Sequence, residues 1–341
     1  MKAIVSNPPR FELQQIPEPE CRPDEVIVRT AFCGICGTDL EILHGTMPDG
    51  FTQYPVVPGH EWTGTIEEVG SQVDRWRVGD RVSVEGYLPC GKCVPCREGK
   101  KNLCITHAQI GMTQNGGLAE HVAAPAVSCH RVADHVGLDE ALMVEPASTV
   151  VRAIDRAHPR AGAKVAVIGC GPIGLIAARV LQSWVPSVVL GIDVAASQSS
   201  ISALAGFTAF TVSQNPSDLI ERSESDGWDL VINCAGGSKP LDLAFQIARP
   251  GGTIVAIGSS PNSSKLQIPS NLFVTRDLRV HGILGYTTES WVQTLDLVSA
   301  GRLRLLDLIS HRRPLEEFDS AIELLQSRSE AMGKIAVCFP S

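Results

Sequence analysis

Apolar residues follow two different patterns along this chain. Up to about residue 145 the apolar runs are short and are separated by Gly and Pro, as in Glu25–Arg29, Thr63–Val69 and Arg81–Val84. This pattern predicts a mostly-β domain with functional loops. From Lys164 onwards, nearly continuous apolar runs alternate with Gly-rich turns and amphipathic stretches. That alternation predicts a parallel sheet covered by helices on both faces.

The second pattern is typical of a doubly wound α/β fold, in which strands alternate with crossover helices. The candidate strands are Lys164–Ile168, Val188–Ile192, Thr208–Val212, Asp229–Asn233, Thr253–Ile257 and Arg279–Leu284. Helical stretches between them include Gly174–Ser183 and Leu241–Ala248. After about Tyr286 the pattern predicts two more helices and a last strand, at Trp291–Ala300, Leu315–Ser327 and Lys334–Phe339.

Composition and charge indicate an ordinary globular protein. The 341 residues include 44% hydrophobic side chains, and the net charge is −8. Without a basic stripe, the chain lacks the electrostatic pattern of a protein that binds nucleic acid or an anionic membrane. No apolar run reaches the ~18 residues of a transmembrane helix, and the N-terminus does not read as a secretory signal. We therefore expect a cytoplasmic protein.

A Gly-rich turn directly after Lys164–Ile168 predicts a dinucleotide site. The motif is Gly-x-Gly-x-x-Gly, and its residues include Gly169, Gly171, Pro172, Ile173 and Gly174. Its three glycines permit a tight turn, close approach of the backbone to a pyrophosphate, and close packing of helix on strand. Asp193, at the end of the next strand, is placed to bind the adenosine ribose and to repel a 2′-phosphate, which favours NAD over NADP. A glycine turn in another kind of α/β protein is the alternative.

Four cysteines form a loop with the spacing of a structural zinc site. They are Cys90, Cys93, Cys96 and Cys104. Four thiolates complete a tetrahedral shell and hold together a loop that lacks its own core. Disulfides or a redox pair are the alternatives, and the lack of a secretory signal favours the metal.

A second set of metal-binding residue types is spread over separate segments. These residues are Cys36, His60, Glu61 and Glu145. A catalytic zinc ion needs a few such ligands and one open position for water or substrate. Spacing does not show that the fold gathers them, and a single histidine such as His60 is more often structural. Asp39 is a candidate acceptor for the imidazole N–H of His60.

Together these motifs resemble the zinc-containing medium-chain dehydrogenase/reductase family. Cys-Gly-Thr-Asp, Gly-His-Glu-x-x-Gly, four spaced cysteines, Glu-Pro and the Gly motif follow in that order, and the resemblance extends over essentially the whole chain. It implies a GroES-like catalytic domain at residues 1–148 and 287–341, and a Rossmann domain at residues 149–286. It also implies a catalytic and a structural Zn²⁺ in each chain, a NAD cofactor, and a homodimer or homotetramer.

The resemblance also implies ligand roles. The catalytic zinc ion would be held by Cys36, His60 and Glu145, with Glu61 as a ligand or a close neighbour. Thr149 matches a position near the nicotinamide carboxamide.

A proton relay is a further part of the predicted mechanism. The Thr38 hydroxyl would accept the alcohol proton and pass it toward solvent through the cofactor ribose and His44. Many members of the family carry a histidine five residues after the ligand cysteine. This chain has Glu41 at that position and therefore departs from the family at the end of the relay.

The predicted activity follows from the ligand set. Glu145 stands where alcohol dehydrogenases of the family have a cysteine and polyol-type members have a glutamate. The run from Phe51 to Trp62 also resembles aminocyclitol dehydrogenases. We therefore predict NAD-dependent interconversion of a ketone and a secondary alcohol of a polyol, cyclitol or aminocyclitol. Threonine, glucose and simple secondary alcohols are alternative substrates.

Three other hypotheses are open to the sequence. They are a zinc-free reductase on the same fold, a NAD-binding redox sensor without turnover, and a zinc-binding nucleic-acid module. The presence of Cys36, His60 and Thr38 argues against the first two, and the net charge of −8 argues against the third.

Overall fold

A computed structural model describes residues 1–258, 265–266 and 268–340 of the chain. They form two compact units. Unit 1 comprises residues 1–145, 286–328 and those from Lys334 on, and unit 2 comprises residues 146–285 and 329–333. The domain boundaries predicted from the sequence lie at 148/149 and 286/287, and that prediction assigns residues 329–333 to the first domain.

The strands, in chain order, are β1 (Lys2–Asn7), β2 (Arg10–Gln15), β3 (Glu25–Ile35), β4 (Glu61–Val69), β5 (Arg81–Val84), β6 (His121–Pro125), β7 (Cys129–Arg131), β8 (Lys164–Ile168), β9 (Val188–Ile192), β10 (Ala209–Thr211), β11 (Trp228–Asn233), β12 (Ala248–Ala256), β13 (Arg279–Gly282), β14 (Ile309–Pro314) and β15 (Lys334–Cys338).

The α-helices are α1 (Gly37–His44), α2 (Val94–Arg97), α3 (Leu138–Leu142), α4 (Val144–Ala157), α5 (Pro172–Leu181), α6 (Ser199–Ala205), α7 (Pro216–Glu221), α8 (Ser238–Ile247), α9 (Leu272–Thr275), α10 (Thr288–Ser299) and α11 (Phe318–Ser327). Over the part of the chain that the structure describes, none of them is both long enough and apolar enough to span a membrane.

The long strand β3 organises unit 1. Its sheet has the order β14-β15-β3-β4-β5-β7, and β6 also pairs with β3. Ladders join β3 antiparallel to β4, β6 and β15. Near its C-terminal end, β3 pairs Gly34 with Glu61 of β4 and Ile35 with Ile335 of β15. This register brings the start of β4 and the start of β15 to the same end of β3.

Unit 2 is a parallel sheet with the order β10-β9-β8-β11-β12-β13. The chain runs outward from β8 to one edge and then returns to build the other side, which is the doubly wound arrangement. Ile168, Leu190, Trp228, Phe245 and Ile254 belong to one buried cluster of this unit. The predicted doubly wound sheet is confirmed. It could be predicted because strands that are buried on both faces consist of nearly continuous apolar residues.

Helix α4 is the main element that the sequence pattern did not predict. Pro146 falls within its first turn. Proline is tolerated there because the first N–H groups of a helix have no partner within the helix. The helix therefore begins before the proline and includes Glu145 in its first turn.

Candidate active site

Cys36 lies where β3 ends and α1 begins. It is the N-cap residue of α1, and its Sγ accepts a hydrogen bond from the backbone N–H of Thr38 at 3.3 Å. Asp39 completes a capping box, because its Oδ2 accepts from the backbone N–H of Cys36 at 2.8 Å. These bonds fix the sulfur at the positive end of the helix dipole, which suits a negatively charged ligand atom.

His60 immediately precedes β4 and lies next to this sulfur. Its Nε2 is 3.2 Å from Sγ of Cys36, and its Nδ1 is 4.0 Å from Oδ1 of Asp39. Both His60 Nδ1 and Asp39 Oδ1 are buried without a hydrogen-bond partner among the described residues. The donor atoms of all three residues lie within 4.8 Å of one another. The fold therefore brings Cys36 and His60 together, with Asp39 directly behind the imidazole.

Glu145 adds a buried carboxyl group to this cluster, although it lies outside the set of atoms within 4.8 Å. Burial raises the pKa of Glu145 to about 7; the Glu61 carboxylate also raises it, whereas His60 and Lys334 lower it. Burial lowers the pKa of His60, but the charges of Cys36, Asp39 and Glu145 raise it well above its ordinary value. Several acidic side chains thus surround one imidazole away from water.

Lys334 is a site residue that the sequence analysis did not identify as one. Its side chain is only 1% exposed, and its Nζ lies 2.6 Å from both carboxylate oxygens of Glu61. Gly34 leaves room for this pair, since a Cβ there would lie 2.2 Å from Glu61 Oε2. The signal available in the sequence was a lysine at the start of an apolar strand, Lys-Ile-Ala-Val-Cys. Glu61, predicted as a ligand or a neighbour, is held in an ion pair beside the cluster.

These residues fit a zinc ion. A tetrahedral zinc ion with sulfur at about 2.3 Å and nitrogen at about 2.0 Å separates the two ligand atoms by about 3.5 Å. The observed separation of Cys36 Sγ and His60 Nε2 is 3.2 Å. A divalent cation would also balance the charge of the buried acidic groups.

Thr38 and His44 lie at opposite ends of α1. Thr38 follows Cys36 in the first turn, whereas His44 is exposed in the last turn. They are separated by about 9 Å along the helix axis, at 1.5 Å per residue. Glu41 lies one turn from Thr38 and is half-buried, and burial raises its pKa. The structure therefore does not bring His44 next to Thr38, and it places Glu41 between them.

The four cysteines of the predicted loop form a second cluster. The sulfur atoms of Cys90, Cys93, Cys96 and Cys104 all lie within 4.8 Å of one another. Sγ of Cys90 is 3.9 Å from Sγ of Cys96, close to the roughly 3.8 Å expected for thiolates at about 2.3 Å from a tetrahedral zinc ion. Burial raises the pKa of Cys104, but hydrogen bonds with Thr106 and from the Cys90 backbone lower it to about 6. The thiolate form of Cys104 is thus favoured, as a metal ligand requires, whereas burial raises the pKa of Cys96 to about 12.

The glycine motif of unit 2 forms a turn between β8 and α5. Gly169 has a φ of +90°, and a Cβ on it would lie 2.8 Å from the backbone nitrogen of Ala235. A Cβ on Gly174 would lie 1.9 Å from the carbonyl oxygen of Gly169. A Cβ on Gly171, the N-cap of α5, would meet nothing within 4 Å. This leaves a space before the first turn of α5 that suits a pyrophosphate, where the free N–H groups begin at Ile173 because Pro172 has none.

Asp193 follows β9 and lies beside this turn. Its Oδ2 accepts a hydrogen bond from the backbone N–H of Cys170 at 2.7 Å, and its Oδ1 accepts from that of Ala195 at 2.9 Å. The carboxylate is therefore fixed next to the glycine motif. Thr149, the predicted neighbour of the nicotinamide, is buried in α4.

Comparison with known proteins covers both units. The alcohol dehydrogenase GroES-like domain model matches residues 22–134, and the zinc-binding dehydrogenase model matches residues 172–300. An L-threonine 3-dehydrogenase of Bacillus subtilis is 34% identical over 345 aligned positions, which cover 98% of this chain and 97% of its own. A probable D-xylulose reductase A of Aspergillus clavatus is 31% identical over 324 positions, which cover 92% and 90%.

Solved structures agree with these matches. An alcohol dehydrogenase of Escherichia coli CFT073 in complex with NADH has a TM-score of 0.92 and 28% identity, and the match covers 99% of each chain. The predicted GroES-like and Rossmann folds are confirmed, as are zinc and a nicotinamide dinucleotide as the cofactors. The chain is an alcohol dehydrogenase, and it belongs to the zinc-dependent medium-chain dehydrogenase/reductase family.

Proposed function

We propose that this enzyme transfers hydride between NAD and a secondary alcohol of a polyol, cyclitol or aminocyclitol, and reduces the ketone in the reverse direction. The observation that carries the proposal is the cluster of potential metal ligands formed by Cys36, His60 and the buried carboxyl group of Glu145. The similarity to a D-xylulose reductase supports a polyhydroxylated substrate. The glutamate at position 145, as in the polyol-type members that the sequence resembles, supports the same class.

Each metal has its own ligands in this proposal. Cys36, His60 and Glu145 hold the catalytic zinc ion, and the four-cysteine loop holds the structural one. When bound, the catalytic zinc ion supplies Lewis-acid stabilisation of negative charge on a substrate oxygen, and NAD supplies the hydride acceptor. Asp39 orients the imidazole of His60. Lys334 holds Glu61 in an ion pair and so keeps that carboxylate apart from the ligands.

Thr38 moves the proton in the proposed reaction. Its Oγ1 accepts the proton of the substrate hydroxyl, since Thr38 lies two residues from Cys36 at the start of α1. Glu41, one turn further along the same helix face, receives it next, and exposed His44 stands at the solvent end of α1. In this chain the Glu41 carboxylate thus occupies the relay position at which many members of the family carry a histidine.

Asp193 sets the preference for NAD. Its two oxygens are fixed beside the glycine motif, so a 2′-phosphate on the ribose would meet a carboxylate. Replacing Asp193 with Ser should therefore lower the ratio of kcat/KM for NAD to kcat/KM for NADP. The same change at exposed Asp226 should leave the ratio unaltered.

A homodimer through unit 2 is a further part of the proposal. Strand β13 lies at the edge of the six-stranded sheet and pairs, among the described residues, with β12 alone. Val280 in β13 is 38% exposed, and Val274 in α9 is 83% exposed. An exposed edge strand with apolar side chains readily pairs with another copy of itself. We also place the protein in the cytoplasm, since clustered thiolates persist in a reducing compartment.

A second candidate substrate is L-threonine, because a threonine dehydrogenase is 34% identical over nearly the whole chain. Both are tested by one measurement, the absorbance of NADH formed by zinc-loaded enzyme with polyols, cyclitols, aminocyclitols, threonine and simple secondary alcohols. Turnover of a polyol or cyclitol class with NAD supports the proposal. Turnover of threonine alone would replace it by the second candidate, and turnover of simple alcohols alone would contradict both.

A further inference from the structure

Glu85 is a buried carboxylate that the proposed reaction does not use. It directly follows β5 and is fully buried. Its Oε1 is 2.6 Å from Nε2 of His130, and its Oε2 is in an ion pair with Lys101 and accepts a hydrogen bond from Thr288 Oγ1 at 3.3 Å. Separating a buried charge from such partners is strongly unfavourable. The four side chains are therefore held in fixed positions relative to one another.

Lys101 belongs to the four-cysteine loop. It begins the 3-10 turn Lys101–Leu103, which directly precedes Cys104. Its side chain is 13% exposed, whereas that of the adjacent Lys100 is 53% exposed and pairs with Glu98 at the surface. Of these two lysines, Lys101 therefore attaches the loop to Glu85.

The residue after Glu85 holds a second buried side chain. The backbone N–H of Gly86 donates to the hydroxyl oxygen of Tyr286 at 2.8 Å. Tyr286 is fully buried and forms a core cluster with Val144 and Trp291. Val144 directly precedes Glu145. Burial raises the pKa of Tyr286 well above its ordinary value, and the Glu145 carboxylate, the largest electrostatic contributor, raises it further.

These contacts form a continuous path through unit 1. It leads from the loop through Lys101 to Glu85, from Gly86 to Tyr286, and from Tyr286 to the first turn of α4. We propose that Lys101 and Glu85 are positioning residues for the catalytic site, which transmit the metal-dependent fold of the four-cysteine loop to Tyr286 and thereby to Glu145. The inference rests on the proposed role of Glu145 as a ligand of the catalytic zinc ion.

The test replaces Lys101 with Met in the full-length enzyme and uses Lys100→Met as the matched control. Three quantities are measured: the zinc content, the visible spectrum with cobalt exchanged into the catalytic site, and kcat with KM for NAD. For Lys101→Met we expect full metal content, a changed cobalt spectrum and a kcat lower by about tenfold at unchanged KM, as for other outer partners of metal sites. Lys101→Arg should restore most of kcat, and Lys100→Met should behave as the wild type.

An unchanged cobalt spectrum and kcat in Lys101→Met with full metal content would overturn the inference. If Lys101→Met instead loses the metal of the loop, the variants Tyr286→Phe and Lys101→Met/Tyr286→Phe decide. If both residues act on one path, the loss of kcat in the double variant must differ from the sum of the losses in the two single variants. Additive losses would also overturn the inference. A wild-type enzyme whose catalytic cobalt shows no thiolate charge-transfer band would refute the proposed ligand set itself.

Discussion

The candidate site depends on how single side chains are held by backbone groups. The position of Cys36 is fixed because it is the N-cap residue of α1. The position of His60 is fixed because β4 begins at the next residue. Neither position needs a long-range contact to be recognised, so both could be proposed from the motifs. Lys334 is different, since only the pairing of β15 with β3 places it beside Glu61.

Replacing Cys36 with Ser should remove the catalytic metal and leave the structural one. Serine is a poor zinc ligand because its hydroxyl stays protonated near neutral pH. We expect the zinc content to fall by about half, and kcat/KM to fall by more than about 100-fold, the upper end for residues that only support ligands. Atomic absorption and steady-state kinetics measure the two effects. Cys21→Ser is the matched control, and equal losses in both variants would contradict the assignment.

Replacing Lys334 with Met should destabilise unit 1. The change leaves Glu61 charged and buried without its partner, which typically costs about 3–5 kcal/mol. Lys334→Arg keeps the charge and should lose much less. Lys2→Met removes an exposed pair with Glu316 and should change stability little. Thermal unfolding compares the variants, and an unaltered Tm for Lys334→Met would show that the buried pair does not stabilise the fold.

At the scale of elements, the apolar patterns were informative where strands are buried on both faces. The predicted β8 and β9 have the observed bounds, and the other strands of unit 2 differ from the prediction by a few residues. Helix α4 was missed because Pro146 follows its first two residues. The hydrogen bonds that would have revealed α4 exist only in the folded chain.

Asp229 connects three strands of unit 2, and its effect should depend on pH. It accepts from the backbone N–H of Lys164 at 2.8 Å, from Arg249 Nε at 2.8 Å and from Arg160 at 3.1 Å. Burial raises the pKa of Asp229, but these donors together lower it below its ordinary 3.8. A lowered folded-state pKa stabilises the fold above pH 3.8, and this contribution is lost as the pH falls through the folded-state value.

Asp229→Asn should therefore lower Tm by about 3 °C at pH 7, as for a loss near 1 kcal/mol in a unit of this size. The difference from the wild type should stay constant down to about pH 5 and shrink below pH 3.8. Asp226→Asn, at an exposed position, should show no such trend. A difference that grows on acidification would contradict the sign of the pKa change.

At the scale of the whole molecule, the proposed homodimer depends on β13, the edge strand of the unit 2 sheet. Val280→Lys adds a charge to β13, which should block pairing with a second copy. We expect light scattering to show a monomer at concentrations where the wild type is a dimer. Val292→Lys, at a valine of similar exposure in α10, is the control. A Val280→Lys enzyme that keeps the wild-type mass would exclude β13 as the interface.

The two fold classes, the glycine motif and the four-cysteine loop could be predicted from the sequence alone. Each is written in a local pattern: burial on both faces of a strand, glycines at a turn, or ligands at short spacing. Only the tertiary structure shows that Cys36 meets His60, that Lys334 pairs with Glu61, and that Glu85 and Gly86 join the cysteine loop to Tyr286. Those contacts join segments far apart in the chain, and their energies come from burying charges together, which no local spacing encodes.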